Sequence, residues 1–243
     1  MAKPKAKPAN PLFYKAPEAL MADRHGGLGL APENSYAFAA QAVAIPLNTV
    51  EIAAARDYPV VFADAAPYMP LAVTGLRQGE NLFVEKDGSW RAGAYVPAYV
   101  RRYPFALAKQ EKAGNFTLCI DVESPRFVPK GGQPLFDGAD ASELTKNAMQ
   151  FCVAFEQEME TTRRIMEVVH AADVLVPNQA TVNRPSGSSL SLTDFLVVDE
   201  AKLAALSDEA FLRLRAAGAL PLIYGHLASR ASWPALLQRL GPA

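Results

Sequence analysis

Apolar and polar positions follow two different rhythms along this chain, and the change falls near residue 138. In the first half, short apolar runs end in turn residues. "YPVVFA" (58–63) and "PLAVTGL" (70–76) have the branched and apolar content of buried strands. "NLFVEKDGSWRAG" carries Asp87-Gly88 between apolar flanks. That dipeptide tolerates positive φ at both centres of a tight turn, so a β-hairpin is predicted. In "NFTLCIDVES" (115–124), Phe116, Leu118 and Ile120 share one parity and Thr117, Cys119 and Asp121 the other, as in a strand. "FVPKGGQPLFDGAD" (127–140) is punctuated by proline and glycine and predicts a loop. That loop either marks an internal boundary or covers a site.

The second half is helical. Ala148, Cys152, Phe155, Met159, Thr162, Met166 and Val169 are spaced alternately by four and three, one stripe of a long helix. Glu160 with Arg164 and Arg163 with Glu167 suit charge pairing off that stripe. The helix either packs on a sheet or, over its few heptads, meets a partner helix. "PNQATVNRPSGSSLSL" (177–192) reads as a polar loop and "TDFLVVDE" (193–200) as a short strand. Asp199 and Ser207 are placed to cap helices, Gly218 to end one, and Pro221 and Pro234 to open two more. The pattern as a whole predicts an α+β fold: a mostly antiparallel sheet from residues 36–124, packed by helices from the C-terminal half. Residues 12–243 read as one domain behind a flexible Lys/Pro-rich tail over 1–11.

Charge narrows the function classes. With 24 basic and 25 acidic side chains the formal charge of the 243-residue chain is −1. That balance argues against nucleic acid as a partner. No apolar run approaches the roughly 20 residues of a membrane span, and the start lacks the apolar stretch of a secretory signal. The expected location is therefore the cytoplasm, with Cys119 and Cys152 as two reduced core thiols.

Spacing signatures of catalysis are missing. "HGGLG" at 25–29 resembles an oxyanion loop, but no G-x-S-x-G nucleophile elbow accompanies it, nor a P-loop or dinucleotide fingerprint. His25, His170 and His226 are isolated in sequence; His170 and Asp173 alone are spaced to share a helix face. Asp121 and Glu123 fall on one face of a strand end, where two carboxylates either ligate a metal or simply face solvent. The expectation is no cofactor and no metal site.

The densest candidate for recognition is "YVPAYVRRYPFAL" (95–107). Tyr95, Tyr99 and Tyr103 lie together whether Pro97 opens a helical turn that Pro104 ends or the segment is extended, and Arg101 and Arg102 diverge. Tyrosine offers a flat apolar body with a hydroxyl tip, and arginine stacks on it and forks onto carboxylates. These five residues suit a surface for a peptide, a protein partner or a small anionic ligand. They suit equally an internal clamp, with the arginines on acids such as Asp57 or Asp121 and the rings filling gaps.

"YPVVFAD", "GLRQGENLFVEKDGSW", "YVPAYVRRYPFAL", "FTLCIDVES" and "FLVVDEAKLAALSDEAFLRLRAAGALPLIYGHLASRASW" resemble the blocks of the SapC family of bacterial proteins, from about Phe13 to Leu240. The resemblance implies an association with a crystalline bacterial surface layer, after which the family is named, and no established activity, cofactor or catalytic residue. It also implies gene neighbourhoods with outer-membrane receptors, flavin-dependent halogenases and cupin-like oxygenases. Three expectations follow. The first is a non-catalytic cytoplasmic binding or accessory protein acting through the Tyr/Arg segment. The second is a metal-dependent oxygenase-like enzyme using His25 or His226 with Asp121 and Glu123. The third is a surface-layer component.

Overall fold

The computed structural model describes residues 10–32, 35–109, 116–183 and 189–240. Of the tail expected over 1–11, only Asn10 and Pro11 lie among the described residues. Along the chain run β1 (Pro17–Ala19), α1 (Ala22–His25), β2 (Gly29–Leu30), β3 (Ala44–Pro46), a 3-10 stretch over Thr49–Arg56, β4 (Val60–Ala63) and β5 (Pro70–Val73). Next come α2 (Ala98–Arg101), β6 (Phe105–Lys109), β7 (Phe116–Asp121), β8 (Phe127–Val128), β9 (Gln133–Pro134), β10 (Phe136–Asp137) and β11 (Asp140–Ala141). The rest is α3 (Glu143–Ala171), β12 (Leu175–Asn183), β13 (Ser189–Val198), α4 (Glu200–Ala204), α5 (Asp208–Ala216), α6 (Leu220–Ser229) and α7 (Trp233–Arg239). The fold is α+β with antiparallel sheets, as the sequence pattern predicts. Among the described residues no helix is long and apolar enough to cross a membrane.

The chain forms two compact units. The first holds the described residues of Met1–Glu33 and Arg102–Ala154. Its sheets run β1–β7–β6 and β8–β2–β9, with β10 and β11 paired beside them. Leu30, Phe105, Leu118, Ile120, Leu135 and Cys152 form its core. The stretch 127–140, expected to be loop, contains β8, β9 and β10 and the first residue of β11, each a two-residue strand. Its prolines and glycines limit their length without abolishing pairing. This stretch lies inside the first unit.

The second unit holds the described residues of Asn34–Arg101 and Phe155–Ala243. One five-stranded antiparallel sheet, β12–β13–β4–β5–β3, supports it. Phe62 of β4, Leu175 of β12 and Leu196 and Val198 of β13 form a core with Met166 and Val169 of α3 and with Leu203, Leu214, Leu222 and Ile223 of the later helices. The apolar stripe read from the sequence is the buried face of α3 from Cys152 onward. Its one polar member, Thr162, accepts a hydrogen bond from the Thr49 N–H at 3.0 Å and donates to the Glu158 carbonyl. Off the stripe, Arg163 pairs with Glu160 at 2.8 Å, where pairing with Glu167 was expected. Asp199 and Ser207 cap α4 and α5 as anticipated.

The expected hairpin at Asp87-Gly88 is reduced to one bridge, Val84 with Trp90. Of the two turn residues only Gly88 has positive φ. Its N–H donates to Glu85 O at 2.9 Å and the Glu85 N–H donates to Ser89 O at 2.8 Å. This is a three-residue loop closed by a left-handed glycine rather than a two-residue turn.

The larger correction concerns 177–192. In place of a polar loop, β12 and β13 pair over Leu175–Asn183 and Ser189–Val198, with an irregularity between Asn178 and Ala180. Leu196 pairs with Phe62 of β4, so the residues of β13 that bond β12 are Phe195 and Val197, opposite Asn178 and Val176. Pro177 then falls where a backbone N–H would point away from β13, an outward position that tolerates proline.

Candidate functional site

The Tyr/Arg segment divides at Arg101, the last residue of its unit before the break. In the second unit Pro97 opens a helical turn, its carbonyl accepting from the Val100 and Arg101 N–H groups. The turn is organised by a buried carboxylate. Glu51 Oε1 accepts from the Ala98 N–H at 2.6 Å and the Tyr95 hydroxyl at 3.0 Å, and Oε2 accepts from the Asn48 N–H at 3.2 Å. Burial raises the pKa of Glu51, although these donors pull the other way. Arg101 Nη2 donates to the Tyr95 hydroxyl at 3.0 Å and Nε to the Val96 carbonyl. Tyr99 is 7 % exposed and meets Phe155 edge to face.

In the first unit Arg102 and Tyr103 are 7 % and 3 % exposed. The guanidinium of Arg102 lies 5.7 Å from the centre of the Tyr14 ring. The Tyr103 hydroxyl donates to Asp121 Oδ2 at 3.0 Å, and burial together with that carboxylate pushes its pKa up to about 12. Asp121 also accepts from the Lys15 and Ala16 N–H groups. Of the five residues expected to make a recognition surface, Tyr99, Arg102 and Tyr103 are buried, Tyr95 is half-buried and Arg101 is exposed. Periodicity groups side chains on one face but does not say which face is covered.

Of the residues considered for metal chemistry, His25, His226 and Asp121 are bonded to backbone groups. His25 Nδ1 accepts from the Met21 N–H at 3.0 Å. β7 ends at Asp121, which is buried, while Glu123 beyond it is exposed. His170 stacks on Tyr68 with ring centres 4.0 Å apart, and Asp173 lies past the end of α3 and pairs with Lys202. Among the described residues no three of His, Cys, Asp and Glu gather as a ligand set.

His226 marks the feature that sequence reasoning missed. Past Leu196–Phe62 the ladder between β13 and β4 stops, although Val198 and Val60 are the next pair in register whose backbone groups face each other. Side chains of α6 take over there. His226 Nε2 accepts from the Val198 N–H at 3.1 Å, and Nδ1 lies 2.7 Å from Val60 O. A carbonyl only accepts, so Nδ1 carries the proton and the ring is neutral. Ser229 Oγ accepts from the Val60 N–H at 2.9 Å and donates to His226 O. Burial lowers the pKa of His226. With both ring nitrogens committed, His226 is not available as a base for Ser229, despite their i, i+3 spacing.

A cleft of about 520 Å3 opens beside this break. Register puts Val61, Val176, Phe195 and Val197 on the sheet face opposite Phe62 and Leu196. These four wall the cleft with Trp233 and Leu237 of α7. Asn178, Gln179, Thr181, Asp199, Glu200 and Arg230 supply polar lining beside His226. Glu200 and Arg230 form an ion pair. Asp199 Oδ1 accepts from the Ala201 and Lys202 N–H groups. The sequence signal that pointed here was the alternation of "SLSLT" (189–193), overshadowed by proline, asparagine and glycine around it.

These features define an α+β protein with a lined cleft, in which the one histidine of the cleft is a structural bridge between strands. The SapC family model matches residues 20–236, and the chain belongs to that family. No curated protein and no solved structure matches it.

Proposed function

We propose that this chain is a non-catalytic binding or accessory protein whose ligand enters the cleft beside the break between β4 and β13. The ligand is a small molecule or a side chain of a peptide or protein partner. The observation that carries the reading is the composition of the cleft: apolar walls beside an array of polar and charged groups, and a histidine with no free nitrogen. Pockets of this size that combine apolar walls with polar groups able to orient a ligand are ordinary ligand sites. The reading moves recognition away from the Tyr/Arg segment, because three of its five residues are buried.

The test is recovery of a ligand. The full chain is incubated with a small-molecule extract and with a peptide pool, separated by ultrafiltration, and the retained species are identified by mass spectrometry. Ala180 lines the cleft from an intermediate position, so Ala180→Trp fills it without touching the core. Species retained by the parent chain and lost with A180W, recovered chemically unchanged after long incubation, support the reading. Equal retention by A180W, or conversion of the retained species, overturns it.

A further inference from the structure

We infer that the cleft takes an ammonium group carried on an apolar stem; the inference rests on the cleft reading above and names its ligand class. The valine, phenylalanine and leucine walls suit a stem without hydrogen-bonding groups. The charge of the lining then selects the head. Asp199 and Glu200 each contribute −1 and Arg230 +1, while His226 is held neutral by Val198 and Val60. The lining therefore has a formal charge of −1. Glu200 and Arg230 satisfy each other, and Lys202, the next cation along α4, pairs with Asp173. Asp199 is left as the charge in the lining without a cationic counterpart among those groups. Trp233 adds an indole, the ring that attracts a cation most strongly. The oxygens of Asn178 and Thr181 can accept N–H donors. An anionic head would face two carboxylates and have to take Arg230 from Glu200.

The decisive experiment is calorimetric titration of the full chain with three probes of one shape: phenethylammonium, 2-phenylethanol and phenylacetate. A fourth, Nα-acetyl-lysine methylamide, carries the same head on a peptide-like stem. The expected order is ammonium, then alcohol, then carboxylate, with ammonium over alcohol by roughly five-fold, the weight of one exposed cation–π contact. Glu200→Gln removes one negative charge and frees Arg230, so it should weaken that preference, leaving the contribution of Trp233 and Asp199, and raise the affinity for phenylacetate. Tighter binding of phenethylammonium identifies a free amine as the natural class, and tighter binding of the lysyl compound a peptide side chain; either supports the inference. Equal binding of ammonium and alcohol, or a preference for phenylacetate in the parent chain, overturns it while the cleft reading stands, provided A180W abolishes the binding. Binding of no probe overturns the inference and leaves the cleft reading to the retention test; binding of all four undiminished in A180W overturns both.

Discussion

Replacing His226 tests the most specific structural claim, that an imidazole stands in for a rung of the sheet. The ring is 1 % exposed and lies 5.0 Å from the Phe62 ring, so phenylalanine keeps the volume and much of the packing. His226→Phe nevertheless strands the Val198 N–H and leaves the Val60 carbonyl only a long contact, 3.5 Å, with Ser229 Oγ. A buried polar group without a partner costs about 1–3 kcal/mol, so the pair costs about 2–6 kcal/mol. That is a large share of the roughly 5–15 kcal/mol by which a domain is stable. The same bonds make stability depend on pH. Nε2 accepts its bond only while unprotonated, and the pKa is lowered in the folded state. The unfolded chain, with His near 6.5, then binds more protons than the folded one. Stability from this group is complete above pH 6.5 and is lost as pH falls through that value, at about 1.4 kcal/mol per unit, until the folded pKa is passed. His226→Gln supplies one donor and one acceptor that do not titrate in this range, so it should recover part of the loss and flatten the dependence. Urea unfolding of the three chains at pH 7.5, 6.5 and 5.5 reads all of this. If H226F unfolds within about 0.5 kcal/mol of the parent at pH 7.5, or if H226Q and the parent lose stability in parallel down to pH 5.5, the strand-bridging account is wrong.

The two arginines of the Tyr/Arg segment should separate in the same assay. Arg101→Ala removes an exposed side chain and should change stability by less than about 1 kcal/mol, whereas Arg102→Ala opens a buried site over Tyr14 and should cost about 1–3 kcal/mol. Tyr103→Phe deletes the hydroxyl that Asp121 accepts from and should cost about 1.5–3 kcal/mol in urea unfolding; an unchanged midpoint would deny that bond a role. A Cβ at Gly225 would lie 2.1 Å from Ile52 Cγ1, so Gly225→Ala should lower Tm through a cost of about 1–3 kcal/mol, and Ile52→Ala in the same chain should recover part of it; purely additive losses would refute the steric account.

Several elements were legible in the sequence because their causes are local. The apolar stripe of α3 from Cys152 to Val169 fixes both the helix and its buried face. Asp199 and Ser207 announce α4 and α5 because a cap is formed within three residues. β4, β5 and β7 follow from runs that suit a pleated, buried surface. What the sequence misjudged depends on more than a dipeptide or a composition. Gly88 makes its turn with one left-handed residue, set by hydrogen bonds between Glu85 and Ser89 that the dipeptide alone does not choose.

By itself, then, the sequence determined the α+β class, the long helix and its caps, because periodicity and capping are written within a few residues. Tertiary structure decided which of Tyr95, Tyr99, Arg101, Arg102 and Tyr103 are covered, that Pro177 sits harmlessly on an outer edge, and that His226 closes a gap between strands more than 100 residues apart. Burial and hydrogen-bond partnership depend on neighbours brought together by the whole fold, and no pattern confined to one segment carries that information.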